Sequence, residues 1–77
     1  MMRPWPAKVY KRRVILKTRI GDTFRGVVWN TDGDWLILRD VQYLADGGVT
    51  HRLTGEVLIE RSNVNFIEDN HGDGSGD

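Results

Sequence analysis

Apolar and polar residues alternate between Arg13 and Arg19, with Val14, Leu16 and Thr18 on one side and Ile15, Lys17 and Arg19 on the other. A period of two is the mark of a half-buried strand. Ile20-Gly21-Asp22 interrupts the pattern. A second run, Thr23 to Thr31, then sets Phe24, Gly26 and Val28 on one face and Arg25, Val27 and Trp29 on the other. Thr31-Asp32-Gly33-Asp34 breaks it, and a third run extends from about Asp34 to Tyr43. Strands flanking a short Asp-Gly turn predict a hairpin. Asp46-Gly47-Gly48 predicts a second hairpin turn, followed by a fourth strand from Val49 to Ile59 that bends at Gly55. After a brief turn at Glu60-Arg61-Ser62, Asn63 to Ile67 reads as a short fifth strand with Val64 and Ile67 turned to the core.

Glycine in mid-strand marks a bend where a side chain would meet a neighbouring backbone, and Gly26 and Gly55 both sit so. Five strands around a small core must curl strongly, so the pattern predicts a mainly β fold. Its form is a short N-terminal helix followed by a strongly bent five-stranded antiparallel sheet, a small barrel. The helix expectation comes from residues 1–12, where Pro4 and Pro6 oppose a long helix but Pro6 suits the first turn of a short one reaching about Arg12. Trp5 in that segment is expected to cap an edge of the core. Residues 69–77, DNHGDGSGD, hold no apolar side chain and three glycines and are expected to be a disordered acidic tail. The predicted organisation is therefore a basic segment at 1–12, one β domain at 13–68, and the tail.

Composition sharpens this in two places. With 77 residues the chain is one small domain, whose lone core is marginal. It has no cysteine, so neither disulfides nor thiolate metal sites support it. His51 and His71 lie far apart, and no metal or other cofactor is expected. Oligomerisation is the remaining usual support for so small a fold. No apolar run approaches the roughly 20 residues that cross a membrane as a helix. Without a secretory-type apolar stretch at the N-terminus, an intracellular (cytoplasmic) setting is the expectation.

Charge is balanced in total but not in place. Arg3, Lys8, Lys11, Arg12, Arg13, Lys17 and Arg19 face no acid within residues 1–20, whereas Glu68, Asp69, Asp73 and Asp77 occupy the last ten positions without a base. Such a basic segment is suited to phosphate, and equally to a solvated strand face. Catalysis finds no support: there is no nucleophile beside a base, no phosphate-cradling glycine loop and no paired carboxylates outside turns. A binding module rather than an enzyme is expected.

The spacing of these residues resembles the Sm-like (LSm, including Hfq) family from about Pro6 to Ile67. The first motif is carried by Val14, Leu16, Gly21, Phe24, Gly26, Val28, Asp32, Leu36, Leu38 and Asp40. The second is carried by Gly55, Val57, Ile59, Asn63, Val64 and Ile67. The resemblance implies subunits joined edge to edge, fourth strand to a neighbour's fifth, in a ring of about five to seven, with Val57, Leu58, Ile59 and the strand Val64 to Ile67 at the contact. It also implies single-stranded RNA at the central pore. The residues it assigns to RNA are Asp32, Asp34, Trp35, Arg61 and Asn63. Two positions depart from the family pattern. Trp35 stands where an Asn is usual, and Glu60 stands where the pore arginine is usual, with Arg61 one place later. Trp35 is suited to stacking on a base or to packing on the barrel rim, and Arg61 to pore charge or to pairing with an acid. The same fold without RNA recognition, a ring-forming scaffold or protein-interaction module, is the alternative.

Overall fold

The computed structural model describes residues 4–69. Six strands form one antiparallel sheet: β1 (Arg13–Thr18), β2 (Thr23–Asp32), β3 (Trp35–Leu44), β4 (Thr50–Arg52), β5 (Val57–Glu60) and β6 (Val64–Asp69). The order across the sheet is β4-β3-β2-β1-β6, and β5 also pairs with β3. β3 therefore meets β2 on one edge and two successive strands on the other. Gln42 to Leu44 pair with β4, and Trp35 to Leu38 pair with β5.

Alternation predicted the buried faces of β1 and β2, where Val14, Leu16 and Val28 have no exposed surface; Leu36, Leu38 and Val41 on β3 are equally buried, and Trp5, Val9 and Ile59 complete the core. Phe24, Val57, Val64 and Ile67 pack against it half-buried. Thr18 is the buried polar member. Its hydroxyl accepts the Asp22 backbone N–H at 2.9 Å, and its own N–H donates to the Asp22 carbonyl, which closes the β1–β2 turn.

The bend at Gly26 has a visible cause. Arg25 lies opposite Gln42 and Val27 opposite Arg39, so Asp40 and Val41 on β3 face the single residue Gly26. This is a β-bulge, which bends and twists the pair. A Cβ at Gly26 would lie 3.0 Å from Val41 Cγ2 and 3.2 Å from the Arg39 carbonyl oxygen. Asp40, the bulged residue, has φ 57°, a left-handed conformation that Asp tolerates better than most residues.

Two expectations are corrected. The N-terminal helix is only a 3-10 turn, Ala7–Val9. Lys11 takes φ 62°, and its N–H leaves the helical path to donate to the Val28 carbonyl at 2.7 Å, with Val28 N–H returning to Arg12 O. The single fourth strand is two, β4 and β5. Leu53 N–H still reaches Val41 O, but Gly55 at φ 79° then redirects the chain before β5 resumes pairing with the other half of β3. The sheet accordingly has six strands rather than five. The expected acidic tail lies outside the described residues except for Asp69, and so do the first three residues of the N-terminal segment.

Candidate nucleic-acid interface

Two turns meet at one end of the barrel. The first joins β2 to β3 through only Gly33 and Asp34, because Asp32 and Trp35 are already paired across the strands. A two-residue hairpin needs positive φ, and Gly33 supplies it at 58°. The second joins β5 to β6 through the 3-10 turn Arg61–Asn63. They are joined by backbone and side chain alike. Arg61 N–H donates to the Asp34 carbonyl at 2.7 Å, and Arg61 Nε donates to Asp34 Oδ1 at 3.4 Å. The second contact is a partly exposed ion pair, a class worth at most about 1 kcal/mol.

Sequence reasoning missed the third participant. Trp5 is only 9% exposed, yet its indole lies 4.1 Å from the Arg61 guanidinium, face to cation. Its Nε1–H donates to the Gly33 carbonyl at 3.0 Å across 28 residues of sequence. Arg19 is a fourth. Its backbone N–H donates to Asn63 O at 2.9 Å and its Nε donates to Ser62 O at 2.8 Å, which secures the second turn from the β1 side. A groove of about 420 Å³ runs beside these residues, lined by Trp5, Pro6, Arg19, Arg61, Val64, Asn65 and Ile67. Placed between Pro4 and Pro6, Trp5 is a large aromatic on a stiffened segment. That was the one signal available.

The five residues singled out from the sequence do gather at this end. Asp34 and Arg61 touch each other. Trp35, 43% exposed, stands opposite Asp32 on β2 and opposite Glu60 on β5. It is not packed away in the core. Asp32, at the end of β2, and Asn63, in the second turn, are exposed.

The basic N-terminal segment is more occupied than its charge suggests. Arg12 pairs with Asp69 at 3.0 Å and Arg13 with Asp40 at 3.0 Å. Arg52 also reaches Asp40, at 3.1 Å. The Arg13 hydrogen bond, followed by the Arg52 charge, holds the Asp40 carboxyl below the usual range. Trp29, at 38% exposure, is the extra residue of a second β2–β3 bulge. Its cationic neighbours are Lys11 at 3.6 Å and Arg39 at 4.2 Å, not the Arg25 expected from alternation. His51 stacks on Tyr43, whose hydroxyl donates to Asp22; that bond to a carboxylate raises the tyrosine pKa. Among the described residues no group of three or more His, Asp or Glu is placed to hold a metal ion. Among the same residues no helix is long and apolar enough to cross a membrane.

Open strand edges complete the geometry. Among the described residues β4 and β5 are paired only with β3, and β6 only with β1. On these edge strands Leu58 is 53% and Phe66 49% exposed.

No family model and no curated protein matches the sequence. Solved structures do match. One is the P. aerophilum SmAP1 heptamer, 26% identical, covering 84% of this chain and 86% of that one, with a TM-score of 0.75. Another is a heptameric archaeal Sm protein, 25% identical, covering 80% of this chain and 90% of that one, with a TM-score of 0.71.

Proposed function

The chain is an Sm-like protein, and from that premise we propose that it closes into a homo-oligomeric ring and binds single-stranded RNA at the pore. The ring forms by pairing the free edge of β5 with a neighbour's β6. Two unpaired edges on a domain this small are a liability that closure removes, and each edge strand exposes a large apolar side chain, Leu58 or Phe66. Both solved relatives are described as heptamers, which supports assembly of this kind. The protein acts as an intracellular binding module and not as an enzyme.

The observation that carries the RNA reading is the meeting of the Asp32–Trp35 and Arg61–Asn63 turns around a solvent-facing indole and a guanidinium. Trp35 offers a face on which any base stacks, worth about 1–3 kcal/mol per base. Arg61 and Arg19 supply positive charge for the backbone, partly offset by Asp34, so binding weakens as salt rises. Titration of short RNA oligomers into the assembled protein at low salt tests this. Binding is expected, with Trp35→Ala weakening it by about tenfold or more. A well-folded ring that binds no oligomer at low salt overturns the reading.

One observation favours the alternative, a ring-forming scaffold without RNA recognition. Arg61 is already engaged by Asp34 and Trp5 of its own chain. On that reading, Trp35→Ala and Arg61→Ala leave the protein's interactions intact while a charge at Leu58 or Phe66 abolishes them.

A further inference from the structure

We infer that Trp5 is a positioning residue of the pore site, holding Arg61 and the β2–β3 turn in the geometry that meets RNA; the inference rests on the RNA reading above. An arginine on a flexible stem loses rotamer freedom whenever a ligand immobilises it. The contact to Asp34 does little to fix it beforehand, at 3.4 Å to a carboxylate that is about half exposed. The indole does more. The guanidinium carbon sits over its ring, 4.1 Å from the centroid, and the indole is almost wholly buried and itself anchored by its N–H on the Gly33 carbonyl. One side chain thus ties the tip of the first turn to the cation of the second. The backbone bond from Arg61 N–H to Asp34 O fixes where the stem begins, and Trp5 fixes where the head ends.

The test is a binding cycle on the assembled ring with a short oligouridine, using Trp5→Leu, Trp5→Phe, Arg61→Ala and the Trp5→Leu/Arg61→Ala double variant. Trp5→Leu keeps an apolar side chain in the core, at a smaller volume, and removes both the π face and the N–H donor. It should weaken binding about three- to tenfold, the range of a partly desolvated cation–π contact. Trp5→Phe keeps a stacking face but loses the N–H donor to Gly33 O, so its affinity should fall between those of Trp5→Leu and the parent. In the double variant the loss should be smaller than the product of the singles, because with Arg61 gone only the bond of Trp5 to the Gly33 carbonyl remains to be lost. A Trp5→Leu ring of native mass that binds like the parent overturns the inference, as does a double variant whose loss is the product of the singles. Should Trp5→Leu fail to fold, the parent protein still decides. The Arg61 guanidinium protons must show nuclear Overhauser contacts to the Trp5 ring, and the Arg61 Nε–H resonance must shift on adding RNA. Absence of those contacts, or a resonance that RNA leaves unmoved, overturns the inference. Absence of any RNA binding by the parent ring overturns the RNA reading and this positioning role together, whereas parent binding with an insensitive Trp5→Leu overturns the positioning role alone.

Discussion

At the scale of single residues, two positions on the β2–β3 bulge carry more of the fold than their size suggests. Gly26 faces backbone. An alanine there would press its Cβ on Val41 and on the Arg39 carbonyl, and the carbonyl belongs to a strand hydrogen-bonded along both edges. Gly26→Ala is expected to destabilise the protein by about 1–3 kcal/mol, the usual cost of overpacking, seen as a lower urea midpoint with an unchanged slope. Asp40 combines left-handed backbone with ion pairs to Arg13 and Arg52. Its carboxyl titrates lower when folded than when unfolded. The stability it contributes is therefore fully present above the ordinary aspartate pKa and is lost as pH falls through the lower, folded value. Asp40→Asn keeps tolerance of positive φ and loses the charge; Asp40→Ala loses both. The expected order of stability at neutral pH is Asp, then Asn, then Ala. The gap between Asp and Asn should shrink in high salt and vanish in acid, and thermal unfolding across pH checks this.

At the scale of elements, the proposed ring contact is tested at the open edges of β5 and β6. Leu58→Lys or Phe66→Glu leaves the core untouched, since both side chains are about half exposed in the protomer, but places a charge in the proposed contact. Each is expected to convert a closed oligomer into monomer by native mass spectrometry. A ring of unchanged mass in both variants would refute the β5–β6 edge. Much of this layer was legible in the sequence because a period of two records which side chains are buried, and Val14, Leu16 and Val28 obey it. What stayed hidden depends on contacts distant in sequence. The N-terminal helix failed because Lys11 is drawn to Val28 across 17 residues. The split between β4 and β5 failed because His51 to Glu56 has no strong breaker besides Gly55, while β3 decides where each half pairs. Within the site, the two turns were read as turns from their local residues, and the family resemblance assigned them to one site. The Trp5 contacts, spanning 28 residues to Gly33 and more to Arg61, left only the flanking prolines as a trace.

At the scale of the whole molecule, the proposed ring would couple folding to association, because a small core and the open edges of β5 and β6 leave each protomer much to gain from a neighbour. A protein whose native state is an oligomer is stabilised by mass action. Its melting temperature should therefore rise with protein concentration, and the Leu58→Lys variant should melt lower and without that dependence. Differential scanning calorimetry over a hundredfold range of concentration separates this from a stable monomer, whose melting temperature is constant.

The three tryptophans occupy three unlike settings: Trp5 buried over a guanidinium, Trp29 beside Lys11 and Arg39, and Trp35 turned to solvent at the turn. Intrinsic fluorescence is therefore divided by location without any label. An added quencher in bulk water reaches Trp29 and Trp35 well before Trp5, a base stacked at the proposed site would darken Trp35, and Trp5 shifts to the red only when the barrel opens. Occupancy of the proposed site and integrity of the fold can thus be followed separately, as the intensity and the colour of one emission band.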